Sequence, residues 1–428
     1  MNRTEIPDNT IEIVAQHINE RNNKPSNVPI ITIAGETETP HYFEIIPFDE
    51  IDNSETHFFA IDGSYNSQEF YNGLSIGIYT AGYVCYQSGR QIRSNDLSDP
   101  VVLGKSYYPQ YILITNDEHK EAIYDELLLL EPVKNMLDFF KDDVSEIFGF
   151  DKDSILSSLS KLLGFCQEIV EWSLVYEIIN LPIIQKGDFI LRDGTLRSNN
   201  IKQTYLVKLA KLIKQKEVYI AAITKNSPIK LELSSTFKKI DSFLQDEFKP
   251  KYPFKTKNPK WQKLCCWLEV SDEILFFAYP EAGQKKELKE GKISIITKSS
   301  MFAKKDLTGG RGFGIFFVAR LDYVEKLQNY DWVVVDLNIY DVIPDIENEN
   351  KKRDFDTIIH IFFELTRLTQ EHYILGYPYP LVEAHNFVTL KHNFKDEIIK
   401  RVKYALYNKQ RMDNVDIENI FLDIHDRF

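Results

Sequence analysis

The feature that most constrains this chain is a pattern it contains twice. At His57-Phe58-Phe59-Ala60-Ile61-Asp62-Gly63-Ser64-Tyr65 a run of apolar, aromatic and β-branched residues delivers an acid, then glycine, then a hydroxyl residue. Asp188-Phe189-Ile190-Leu191-Arg192-Asp193-Gly194-Thr195-Leu196 does the same. Such runs read as buried strands. An acid at a strand end is held rigidly, and the following glycine permits a tight turn or close backbone approach by a ligand. Two such strands side by side in one sheet would set Asp62 and Asp193 together at one rim. Paired carboxylates of that kind suit a divalent metal. The plain alternative is two unrelated Asp-Gly turns. The matching hydroxyl residue favours the metal site.

At 428 residues, with 43% hydrophobic and 13% aromatic content, the chain can form one large α/β unit carrying insertions. No apolar run approaches the roughly 18–20 residues of a membrane span, so no membrane association is expected. Met1-Asn2-Arg3-Thr4-Glu5 carries no export signature. Cys85, Cys166, Cys265 and Cys266 lack CxxC spacing. They are expected to be reduced and mostly buried in a cytoplasmic protein, with no zinc. The formal charge of −13 disfavours tight autonomous binding to nucleic acid, because phosphate contacts dominate such affinity. It leaves room for a nuclease whose metals and local basic residues face the strand, or whose partner holds the DNA.

Along the chain, Ile11, Ile13, Val14 and Ile18 begin a short helical pattern, and residues 28–56 read as extended and acidic loop. Strands are expected at 74–79, 82–86 and 111–115, pairing around the first motif. Residues 117–180 switch to a helical period, ending in a helix over about 154–179 that carries Glu168, Glu171 and Glu177. Glu177, flanked by apolar residues and nearest to the second motif, is the expected inward-pointing acid, with Glu171 as the fallback. A helix over 200–215 leads to a buried strand, Val218–Thr224, followed by Lys225, placed to bind a phosphate or orient a nucleophile. Residues 231–263 look like a lysine-rich helical insertion, and the basic, aromatic stretch 251–263 could touch a nucleic-acid backbone. Further strands are expected at 267–278, 292–297 and 313–321. The run Gly309-Gly310-Arg311-Gly312-Phe313-Gly314 leads into a strand, so no helix N-terminus cradles phosphate there. A charged stretch, 345–356, precedes a helix over roughly 356–370. No GxxxxGK[ST] loop is present, so the chain is not itself a P-loop ATPase. In Gly376-Tyr377-Pro378-Tyr379-Pro380-Leu381-Val382-Glu383-Ala384-His385 the prolines fix a turn that feeds an element carrying His385. Two charged amphipathic helices close the chain over 394–428.

Taken together, strand-Asp62-Gly-Ser, a helix glutamate, strand-Asp193-Gly-Thr-Leu, strand-Lys225 and Gly-Tyr377-Pro-x-Pro-Leu-x-x-Ala-His385 resemble the NurA nuclease family over roughly residues 57–410. The resemblance implies an α/β, RNase H-like mixed central sheet flanked by helices, with helical insertions near 117–160 and 231–263. Residues 1–56 would form an N-terminal helical and extended segment, 57–410 the nuclease domain, and 411–428 a C-terminal helix. It also implies a manganese-dependent 5′→3′ DNA nuclease with endonuclease activity. Two Mn²⁺ ions would be bound, with Mg²⁺ as a substitute. Family members form homodimers and work with a HerA-type hexameric ATPase in DNA end processing or anti-phage defence. In that scheme Asp62, Glu177 and Asp193 are metal ligands, and Tyr377 and His385 orient the scissile phosphate or assist proton transfer. A non-catalytic scaffold on an ATPase ring and a two-metal nuclease acting on RNA are the alternatives.

Overall fold

In the computed structural model, the described residues are chiefly 55–70, 75–92, 117–233 (except 199), 264–270, 314–321, 332–338, 355–370, 376–389 and 392–421. Short pieces at 12–16, 19, 32–33, 36–37, 41–44, 106–107, 112–114 and 237 add to these. Most of the expected insertion at 231–263, the strand at 292–297, the glycines at 309–312 and most of 345–356 lie outside them.

Among these residues one mixed sheet dominates. Its strands are β1 (His41–Glu44), β2 (His57–Glu69), β3 (Ser75–Gln87), β4 (Phe189–Asp193), β5 (Tyr219–Thr224), β6 (Leu264–Glu269), β7 (Gly314–Arg320) and β8 (Trp332–Asn338). They lie in the order β1-β6-β7-β8-β5-β4-β2-β3, and short pieces at 90–91, 106–107 and 112–114 extend the β3 edge. The two motif strands are parallel neighbours: Phe58 to Ile61 of β2 match Phe189 to Arg192 of β4. β4 in turn runs parallel to β5, and every other contact along this order is antiparallel. The expected mixed α/β sheet flanked by helices is therefore what the chain forms.

Because strand side chains alternate between faces, the two faces of β2 carry different chemistry. Phe59, Ile61 and Gly63 look toward helix α3 (Leu159–Ile179); Phe58, Ala60 and Asp62 look the other way. Two helices, α1 (Asp117–Leu129) and α2 (Glu131–Phe140), precede α3. A break at Ser157-Ser158 divides the expected 154–179 helix, since Ser158 caps α3 by accepting the Lys161 N–H. Most of α3 beyond that cap is buried, Trp172, Leu174 and Val175 completely, which explains its nearly uniform apolar sequence. Helix α4 (Gln203–Gln215) is the crossover between β4 and β5.

The opposite face is covered by α5 (Phe355–Gln370) and α6 (Tyr379–Val388). Phe362 of α5 stacks on Trp267 at 5.1 Å, and Tyr379 of α6 meets Tyr86 edge-on at 4.9 Å. Two closing helices, α7 (His392–Gln410) and α8 (Asn414–Ile420), follow. No helix among the described residues is long and apolar enough to cross a membrane.

One expectation needs correction. Asp62 does not end its strand: β2 runs on to Glu69, paired with β3 over its whole length. What ends beside Asp62 is the pairing with β4, whose last register partner is Ile61. A rim is thus created inside a long hairpin, where one neighbour stops and the other continues.

Candidate metal centre

Asp62 and Asp193 follow the last matched pair, Ile61 and Arg192, and point to the α6 face. There His385, on the second turn of α6, hydrogen-bonds through Nδ1 to Asp62 Oδ2 at 2.8 Å. One donor atom from each of Asp62, Asp193 and His385 lies within 4.8 Å of the others. Asp62 is buried, Asp193 half-buried, and the His385 side chain 51% exposed, so the cluster opens to solvent on the imidazole side. Burial, then the charge of Asp193, pushes the Asp62 carboxyl up to about 6, against hydrogen bonds from His385 and the Gly63 N–H. The like charges of buried Asp62 and half-buried Asp193 oppose each other, and a divalent ion would offset both. The mixed oxygen and nitrogen donor set also suits manganese or magnesium better than a structural thiolate metal. The residues present therefore fit a divalent ion.

The turn behind Asp193 is tied down on several sides. Gly194, at φ +115°, donates its N–H to the Ile223 carbonyl, while its own carbonyl accepts from the Thr224 hydroxyl. Tyr377, expected at the scissile phosphate, is buried instead. Its hydroxyl donates to the same Ile223 carbonyl at 3.1 Å and also engages Asp193. Burial, then the charges of Asp193 and Asp62, pushes this phenol well above its ordinary range, so it stays protonated and serves the position of Asp193. Lys225 directly follows β5 and is exposed, with its ammonium 3.9 Å from the Tyr377 ring centroid.

On the other face, Glu171 of α3 is 3% exposed and receives Arg192 at 2.6 Å and Gln167 at 2.7 Å. It presses against Gly63: a Cβ added there would stand 2.5 Å from Glu171 Oε1. Burial pushes Glu171 up to about 7, opposed first by Arg192, while the charge of Asp62 adds to the rise. Glu177, the expected ligand, is half-buried six residues further along α3, about 9 Å of rise away. Its charge acts on the Tyr83 hydroxyl, and it does not join the cluster. The structure thus brings Asp62, Asp193, His385 and Tyr377 together, sets Lys225 at the rim, and puts the fallback Glu171 behind Gly63.

Two supporting residues escaped the sequence reading. Arg192, laid over the Trp172 ring at 4.8 Å, binds Glu171 and the Thr195 carbonyl at once. Asp336 of β8, 1% exposed, accepts the Leu196 N–H at 2.9 Å. Together they grip the backbone just past Asp193 from the α3 face. Arg192 had a readable signal: a cation inside an apolar strand, on the face opposite Asp193, needs an acid from the helix covering that face.

Comparison with known proteins follows the same outline. A family model, the NurA domain, matches residues 56–390. This chain belongs to the NurA family. The matched NurA domain spans both Asp-Gly motifs, α3, Lys225 and the Tyr377–His385 segment. A search of curated proteins finds no match. Among solved structures, the chain is similar to the NurA nuclease from Sulfolobus solfataricus, with 15% identity over 95% of this chain and 98% of that one, at TM-score 0.46. A NurA structure with manganese (12% identity, 95% and 99% covered) and one bound to dAMP and manganese (12%, 96% and 99%) each give TM-score 0.34.

Proposed function

We propose that this NurA-family chain is a metal-dependent deoxyribonuclease, a 5′→3′ exonuclease with endonuclease activity that uses two Mn²⁺ ions or, less well, Mg²⁺. The observation that carries the reading is the convergence of Asp62, Asp193 and His385 within 4.8 Å, inside a matched NurA domain. Bound divalent ions would supply Lewis-acid stabilisation of charge on the phosphodiester and acidify an attacking water.

The chain's own groups do the rest. Asp62 and Asp193 would hold the ions, and of the two candidate helix carboxylates Glu171 is the one that lies against Gly63 on the other face of the sheet, where the charge of Asp62 acts on it. The Nδ1 contact with Asp62 orients the His385 ring and leaves Nε2 toward solvent, where it can move a proton at an entering or leaving oxygen. Lys225 offers a positive charge to a phosphate at the rim. Tyr377 fixes Asp193 from behind.

A net charge of −13 gives little long-range attraction for DNA, and no nucleotide-hydrolysis loop is present. Both facts support work with a partner, a HerA-type hexameric ATPase; the homodimer and the role in end processing or phage defence are what the family resemblance implies. Labelled single- and double-stranded DNA and RNA, offered with Mn²⁺, Mg²⁺ or EDTA, test the reading. DNA cleavage with Mn²⁺ at least equal to Mg²⁺, and none in EDTA, is expected; robust cutting in EDTA would overturn it. Duplex degradation by the chain alone as fast as with the fuelled ATPase would remove the partner.

A further inference from the structure

Helix α7 presents two faces of opposite character. Ile399, Val402 and Leu406 pack inward, with Met412, Ile417 and Phe421, on Phe70, Ile76 and Ile78 at the far end of the β2–β3 hairpin. The outward face carries Lys400, Arg401, Tyr404, Tyr407 and Asn408, all exposed; Tyr404 is 70% and Tyr407 52% exposed. The spacing 400, 404, 407 keeps a cation and two aromatic rings on one stripe. Residues 392–411 hold six Lys or Arg against two Asp or Glu, in a chain whose net charge is −13. Two nearby acids are already paired: Glu418 of α8 with Lys403 and Glu397 of α7 with Arg401, so the cation of the stripe is Lys400.

The face on which α7 lies is settled by register. Ile78 and Ile76 pair with Asn66 and Gln68, which alternate with Asp62 and share its side of the sheet. Gly77, between them, faces α3, where an added Cβ would meet Leu159 at 2.8 Å. So α7 occupies the same side as the metal cluster and follows the His385 helix directly in the chain. Gly82 is the register partner of Asp62, and Ile78 to Ile76 lie four to six residues from it. That places the helix about 13–20 Å along the hairpin from the cluster.

We propose that the Lys400–Tyr404–Tyr407 stripe is a stacking platform for single-stranded DNA, guiding the strand to or from the metal centre. Base stacking on exposed tyrosines tolerates any sequence, and flanking cations follow the phosphates. The proposal rests on the nuclease reading for its purpose, but the binding itself is measured without catalysis.

Fluorescence anisotropy of a labelled thymidine oligomer of about thirty nucleotides, in EDTA, reads strand affinity. Tyr404→Ala/Tyr407→Ala should bind at least about tenfold more weakly, Tyr404→Phe/Tyr407→Phe close to wild type, and Lys400→Ala should flatten the salt dependence. With Mn²⁺, the double alanine variant should lose activity on the oligomer and keep it on bis(p-nitrophenyl) phosphate, a diester too small to span the gap. Wild-type protein that hydrolyses neither substrate defeats the nuclease reading, while anisotropy still decides the platform. Oligomer binding by the double alanine variant within threefold of wild type overturns the platform. So does a changed oligomeric state in size-exclusion chromatography, which would assign the stripe to a second copy of the chain.

Discussion

The two Asp-Gly motifs look alike as text and do different work in the fold. In the first, Gly63 lies inside a continuous strand, and its missing side chain lets Glu171 and Gln167 of α3 press against the backbone beside Asp62. In the second, Gly194 ends a strand at φ +115°, with nothing but the Arg192 side chain near its absent Cβ. One glycine is there for what approaches it and the other for how the chain bends. Similar sequence patterns therefore deliver two carboxylates to one place by two physical routes.

Four experiments would break or sharpen that comparison. The largest effect is expected where the motifs agree. Asp62→Asn and Asp193→Asn should each lower cleavage by about three orders of magnitude or more, with unchanged circular dichroism. Cleavage within tenfold of wild type in both variants would end the two-aspartate site. Next, Arg192→Met strands Glu171 as a buried charge, at a cost of about 3–5 kcal/mol measured by urea denaturation; a loss below 1 kcal/mol would show that the pair is not closed in solution.

The third experiment separates the glutamates. Glu171→Gln should lower activity about a hundredfold, while Glu177→Gln stays within a few fold; if only Glu177→Gln is inactive, the assignment reverts to Glu177. The smallest effect distinguishes the glycines themselves. Gly63→Ala should raise the Mn²⁺ concentration for half-maximal activity, through displaced Glu171, with about 1–3 kcal/mol of overpacking. Gly194→Ala should cost a similar amount through backbone strain, with a smaller change in metal dependence. Equal metal dependence in both would erase the distinction.

Much of this arrangement could be read from the sequence. Two apolar runs ending in acids announced adjacent buried strands, and the prolines before His385 announced a turn feeding the element that carries it, which the structure shows to be a helix. Lys225 after β5 was readable for the same reason. Which glutamate of the almost wholly buried helix faces Gly63 was not, because each has apolar neighbours, and flanking residues cannot give the phase. Gly63 held the missing information: a glycine inside a strand marks a close approach, and Glu171 is what approaches. Asp336 was illegible because its partner is a backbone N–H on a distant segment. Tyr377 was found, but the burial of its hydroxyl against Ile223 and Asp193 was not legible, since it depends on packing that a motif does not display.

The contact between His385 and Asp62 joins residues 323 positions apart in the chain. Contacts of such separation close late, because the intervening chain must be ordered before the loop entropy is recovered. During synthesis, both aspartates leave the ribosome well before the segment 376–389 exists. A nascent or truncated chain thus carries two acids with no imidazole between them and solvent, and with no Tyr377 behind Asp193. If the proposed site is the active one, the full set of groups around the two aspartates is assembled only after the segment 376–389 has docked.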